Sequence, residues 1–162
     1  MGSEMCIRDS LAAVVSLMAR DRGGPRLVYQ LLIYPATDYY LPGTPSIREN
    51  GEGYFLTRDD MVWFLGHYLS SEADIQHPYA FPLRAEDKSG LPPAMVITAE
   101  FDPLRDEGEI YAVQMQQAGG DVSSTRYDGT IHGFVSLAGM IDQGKKALAD
   151  AAVGLRSAFG KG

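Results

Sequence analysis

Two short stretches of this sequence hold side chains that could perform acid–base chemistry. One is Glu100-Phe101-Asp102-Pro103-Leu104-Arg105-Asp106-Glu107-Gly108, and the other is Gly129-Thr130-Ile131-His132-Gly133-Phe134. A histidine on a glycine-flanked turn can aim its ring at a neighbour, and its near-neutral titration suits a general base. Each stretch also has a structural account. Asp102 reads as a helix N-cap with Pro103 in the first helical position, and Asp106 and Glu107 suit the positive end of the helix dipole. His132 reads equally as a turn residue, so on local pattern alone both roles stay open. His67, within an aromatic helix, and His77, ahead of Pro78, read as structural. A metal held by Asp102, Asp106 and His132 has no support from an HExxH or paired Cys/His spacing, and no GxGxxG or P-loop is present. The expected site uses neither metal nor cofactor.

The elements that must position these residues follow from periodicity. Leu11, Val14, Val15 and Met18 recur at helical spacing, and Gly23-Gly24-Pro25 closes that helix. The ten residues before it, MGSEMCIRDS, do not resemble the rest of the chain and are expected to be a non-native scar, residues 1–10. LVYQLLIY, residues 27–34, is a nearly continuous apolar run of the kind buried on both faces of a parallel sheet. Residues 37–53 read as loop. Thr57 with Asp60 forms a capping-box pattern that opens a helix through Trp63, Phe64, Tyr68 and Leu69, whose aromatic residues are expected to pack or to line a pocket. AMVITA, residues 94–99, predicts a second buried strand, followed by a helix to about Ala118. Residues 122–127 predict a third strand nearer an edge, residues 128–133 a turn, and residues 142–159 a last helix. Strands alternating with helices predict a parallel sheet with right-handed crossovers. Three strands are few for a complete α/β domain.

Composition narrows the partners. With 14 Lys and Arg against 21 Asp and Glu, the net charge of −7 argues against nucleic acid and against an anionic membrane surface. No apolar stretch approaches the ~18 residues that span a bilayer. A single cysteine excludes an internal disulfide framework. Cytoplasmic location is the default expectation.

Taken together, LAAVVSLMARDRGGP, QLLIYPATD, PLRAEDKSGLPPAMVITAEFDPLRDEGEIYA and YDGTIHGF resemble the hormone-sensitive-lipase family of α/β-hydrolases, often bacterial carboxylesterases. The specific signal is DPLRDEG followed about 30 residues later by HGF, and the resemblance covers nearly everything from Leu11 onward. It implies a C-terminal fragment: an incomplete α/β-hydrolase fold, three parallel strands equivalent to strands 6–8 with flanking helices. Residues 11–162 would form the C-terminal part of the hydrolase domain, with 36–82 as an insertion contributing to the pocket or cap. The chain order nucleophile, acid, histidine makes Asp102 the acid and His132 the base. Tyr39, Tyr40, Tyr54, Phe55 and Trp63 would make the pocket aromatic.

The sequence departs from the family at its start. Where a GDSAGGN-like elbow is expected, Cys6 stands at the serine position between Met5 and Ile7, without the elbow glycines. Nor is an HGGG-type oxyanion segment present. The implied function is ester hydrolysis on a small-molecule ester by the intact parent, with this chain inactive alone. Two alternatives are a serine peptidase of the same fold and a non-catalytic half-domain that forms a homodimer through its exposed strand edge.

Overall fold

The computed structural model describes the backbone of residues 3–160 and the side chains of residues 8–160. Its order is α1 (Ser3–Asp21), β1 (Gln30–Ile33), α2 (Pro45–Asn50), α3 (Arg58–Tyr68), β2 (Ala94–Phe101), α4 (Arg105–Gln117), β3 (Val122–Ile131) and α5 (Asp142–Ala158), with short 3-10 turns between some of them. The three strands form one sheet in the order β1-β2-β3, and both pairings are parallel. These are the three parallel strands with flanking helices expected from the sequence.

Sheet alternation explains the layers. Ala94 and Val96 of the central strand join Leu32, Ala13 of α1, and Tyr111, Ala112 and Met115 of α4 in one buried cluster. Ile97 and Ala99, from the opposite pleat of β2, join Tyr34, Tyr127, Phe134 and Val135 with Ala147 and Ala151 of α5. Thus β2 is covered on both sides, which is why its first four residues, Ala94 to Ile97, are all apolar. A third cluster (Ile47, Leu56, Met61 and Leu104) fastens α2 and α3 to the segment just past β2.

Several boundaries differ from expectation for identifiable reasons. α1 starts at Ser3 rather than Leu11, because no glycine or proline interrupts the chain between Ser3 and Asp21. β1 is only Gln30–Ile33: Val28 is exposed, and beyond Ile33 the Tyr34 N–H still donates to Ile97 O before the chain turns away. Residues 37–53 contain a helix, α2, whose single turn and a half is too short for periodicity to reveal. Thr44 caps it by accepting the Ile47 N–H, and Pro45 opens it. Asp102 is not the N-cap of α4, which begins at Arg105 with Leu104 before it. β3 runs on to Ile131 through an irregularity opposite residues 99–101, where Gly129 takes φ 71°.

The α3 capping box is present in both directions: Thr57 Oγ1 accepts the Asp60 N–H at 3.1 Å, and Asp60 Oδ2 accepts the Thr57 N–H at 3.0 Å. Thr57→Ala is expected to lower stability by about 1 kcal/mol, read as a fall in the urea midpoint with unchanged slope. Of the aromatic residues of α3, expected to pack or to line a pocket, Trp63 is 59% exposed, while Met61 and Leu65 face inward.

The outer edge of β1 is less open than the sequence suggests. Tyr34 N–H donates to Ile97 O, so alternate residues turn their amides away from β2, and the outward amide of Ile33 donates to Asp9 Oδ2 at 3.1 Å. α1 therefore closes part of the edge, leaving Leu31 and Ile33 half-buried.

Candidate functional site

Asp102 and His132, 30 residues apart, meet just beyond the C-terminal ends of β2 and β3, where open parallel sheets place their sites. His132 Nδ1 lies 2.8 Å from Asp102 Oδ2, with both side chains enclosed. The other carboxylate oxygen, Oδ1, accepts the Leu104 N–H at 2.8 Å, so both oxygens are held and the carboxylate cannot swing. Since the carboxylate accepts, the ring donates through Nδ1, which leaves Nε2 as the basic nitrogen when the imidazole is neutral. The N-cap reading of Asp102 is thus replaced by a tight turn and a histidine partner.

The turn that carries Asp102 is itself clamped by α2. Ser46 Oγ donates to Pro103 O at 2.7 Å, and Ser46 N–H donates to Asp106 Oδ2 at 2.8 Å. Asp106, read from sequence only as suiting the positive end of the helix dipole, also secures this junction. Arg105 extends it by donating to Glu100 O and to the carboxylates of Asp106 and Glu49. The histidine turn is tied down separately: Glu100 Oε2 accepts the Gly129 N–H at 2.6 Å, and Thr130 Oγ1 donates to Tyr127 O at 2.6 Å. Gly133 follows His132 with φ 83°, and a Cβ there would meet the Phe55 ring at 3.3 Å. Gly133→Ala is expected to cost about 1–2 kcal/mol from the left-handed backbone alone, seen as a lower thermal midpoint.

Two carboxyl groups have environments the sequence did not announce. Glu107 is fully buried, and burial pushes its carboxyl up to about 8. Its Oε1 accepts the Thr37 N–H at 2.7 Å and the Asp38 N–H at 3.2 Å, while Thr37 Oγ1 donates to Glu107 O. A signal existed: Leu104, Glu107, Gly108, Tyr111, Ala112 and Met115 form one helical stripe, with the glutamate inside it. Asp9 is half-buried on α1, and burial raises its carboxyl to about 7 against the lowering effects of the Ile33 N–H and His132. Ser10, beside it, donates to Ala36 O.

The remaining sequence candidates divide. Phe55 reaches the turn after His132, and Tyr54 stacks on Phe101 with centroids 5.2 Å apart. Tyr39 and Tyr40 line a separate cavity of about 250 Å³ with Val62, Leu65 and Ile75. Trp63 packs against Phe64 and His67 of its own helix. His67 Nδ1 lies 2.7 Å from Trp63 O, and His77 Nδ1 accepts the Tyr79 N–H, so neither approaches the pair. Helical backbone runs through position 6, whereas the Cys6 side chain, aligned with the family serine, lies outside the described residues. A cavity of about 790 Å³ between Arg20, Arg26 and Pro92 sits at the opposite, N-terminal end of the strands and shares no residue with the site.

A parallel sheet that presents a buried histidine–aspartate pair on the loops beyond its strands has the layout of an α/β hydrolase. The chain belongs to that family, in its hormone-sensitive-lipase-like branch: the model of the alpha/beta hydrolase fold matches residues 10–136. The carboxylic ester hydrolase LipN of Mycobacterium tuberculosis is 46% identical over 134 residues, covering 79% of this chain and 35% of the relative. Carboxylesterase NlhH of the same organism is 38% identical over 153 residues, covering 93% and 48%. Among solved structures, the hyperthermophilic esterase of Pyrobaculum calidifontis superposes with a TM-score of 0.88 at 45% identity, covering 92% of this chain and 49% of that one. The chain thus spans about a third to a half of the length of these relatives. Among the described residues, no helix is long and apolar enough to cross a membrane.

Proposed function

We propose that this chain carries the acid and the base of a carboxylic-ester hydrolase, acting on a small-molecule ester without a cofactor. The observation that carries the reading is the enclosed His132 Nδ1–Asp102 Oδ2 contact of 2.8 Å beyond the strand ends. His132 Nε2 takes the proton of a serine hydroxyl as that oxygen attacks the ester carbonyl. Asp102 holds the tautomer that makes this possible and stabilises the imidazolium. The proton then passes to the departing alcohol, and water, activated by the same nitrogen, releases the acid from the acyl-enzyme. Residues 36–82 supply part of the pocket wall, with Phe55 nearest the histidine turn.

The serine and the oxyanion donors match nothing in this sequence, so residues 1–162 alone are expected to be inactive. The test compares this chain with a form whose upstream sequence restores the serine elbow and the oxyanion segment, using 4-nitrophenyl butyrate. Turnover by the longer form and none by the shorter supports the reading. Turnover by this chain that disappears with Cys6→Ala would replace it with a thiol mechanism.

A second reading has one observation in its favour: among the described residues, β1 pairs with a strand on one side only. A half-domain could bury that edge against a second copy, as a homodimer. Size-exclusion with light scattering separates the two, since a monodisperse dimer supports pairing and a monomer removes it.

A further inference from the structure

Tyr34 holds a conformation its sequence context opposes. It is the only non-glycine among the described residues with positive φ, at 44°, although a tyrosine has a Cβ to disfavour it. The proline next in the chain also steers its predecessor toward extended backbone. Such strain persists only where surrounding structure over-determines it, and it gathers at sites that need it.

The fixing contacts are on both sides. Before the strained residue, Tyr34 N–H still donates to Ile97 O, continuing the β1–β2 ladder. After it, Pro35 lies against the bare backbone of Gly108, with Cδ and Cγ at 3.5 and 3.6 Å from where a Cβ would stand. One residue earlier on α4, the buried Glu107 carboxyl accepts the amides of Thr37 and Asp38. Residues 34–38 are therefore strapped between the central strand and α4. The ring that this geometry delivers is 1% exposed, and its centroid lies 4.5 Å from that of the His132 imidazole, tilted by 55°. Phe134 backs the same ring at 6.1 Å.

We propose that Tyr34, locked by Pro35 and α4, is a positioning residue for His132: its ring bears on the imidazole and holds Nδ1 in line with Asp102. This rests on the reading of His132 as the base. A hydrogen bond at Nδ1 does not by itself stop the imidazole rocking about its bond to Cβ. A flat, buried ring against it removes that motion, and a base must sit within a narrow geometry to accept a proton. An aromatic residue that merely filled the core could give way to another apolar side chain of similar bulk without disturbing the pair.

The experiment reads the pair directly, in this chain, by proton NMR. A histidine Nδ1 proton held by a buried carboxylate resonates far downfield of ordinary amides, and Asp102→Asn assigns it by abolishing it. With Tyr34→Leu the exchange of this proton with water is expected to quicken about tenfold, as a local opening becomes easier. Tyr34→Phe, which keeps the ring, is expected to stay within about twofold of the parent. Should Tyr34→Leu not fold, Pro35→Ala reads the same coupling by letting position 34 relax while the tyrosine remains. Exchange unchanged in whichever folded variant is measured overturns the proposal. A parent without any Asp102-dependent resonance instead overturns the acid–base pair, and the proposal with it.

Discussion

Asp102→Asn, placed in a form of the chain extended upstream to include the serine elbow, is expected to lower kcat for 4-nitrophenyl butyrate about 10⁴-fold. The amide has the shape of the carboxylate and keeps one oxygen, so the Leu104 N–H retains an acceptor. What changes is the group facing His132. An amide NH₂ turned toward Nδ1 makes that nitrogen the acceptor and shifts the proton to Nε2, the atom proposed to take the serine proton. KM should move little, since neither group is asked to bind the ester in its ground state. His132→Ala should cost a similar factor, and the double variant should be little worse than either single one, because the two act as a unit. Activity within about tenfold of the parent after Asp102→Asn would show that the pair is not the catalytic acid and base.

Thermal stability is expected to fall between about pH 5 and pH 8, following the two carboxyl groups whose protonated forms the fold favours. Glu107 has an ordinary value of 4.5 raised to about 8, and Asp9 one of 3.8 raised to about 7, each chiefly by burial. A raised value means that the folded state binds the proton more tightly than the unfolded one. Its stabilisation is therefore complete below the ordinary value and is lost as pH rises through the raised one. Each unit of separation corresponds to about 1.4 kcal/mol, so Glu107, the more deeply enclosed, dominates a loss of several kcal/mol. The lowered carboxyl of Asp60, which accepts from the Thr57 side chain and backbone, works in the opposite sense only in the acid range below its ordinary 3.8. Melting curves in a pH series provide the check. Glu107→Gln keeps an acceptor for Thr37 and Asp38 without a charge to bury, and should flatten most of the slope; Asp9→Asn should remove the smaller remainder. A midpoint higher at pH 8 than at pH 5 would rule out the burial account.

The sheet and its long helices were legible because each is a repeated signal. β2 is a run of apolar residues closed by an acidic turn, and α4 and α5 run between clear stops. The meeting of Asp102 with His132 was legible for a related reason: each directly follows a strand, and parallel strands bring their C-terminal ends together. What escaped depends on contacts distant in sequence. α2 has a single apolar anchor, Ile47, so no period announces it, and its worth lies in Ser46 reaching Pro103 and Asp106. Asp9 lay in the ten residues read as a non-native scar, and Glu107 was accounted for by the helix dipole, so the burial of neither was foreseen. The conformation of Tyr34 left no trace in the sequence, where Pro35 argues for extended backbone, since a positive φ is imposed by what holds the segment rather than by the residue.

The outward-facing indole of Trp63 has a consequence for anyone watching this protein unfold. It is the only tryptophan in the sequence and is more than half exposed in the folded chain. Its emission should therefore begin close to that of a solvated indole and shift little when the sheet comes apart. A fluorescence melt would report the fraying of one surface helix and could give a midpoint unrelated to that of the core. Absorbance and near-ultraviolet dichroism of the enclosed phenols of Tyr34 and Tyr111 would track the sheet instead. Disagreement between the two optical signals would then mark where the observer stands, with no folding intermediate needed to explain it.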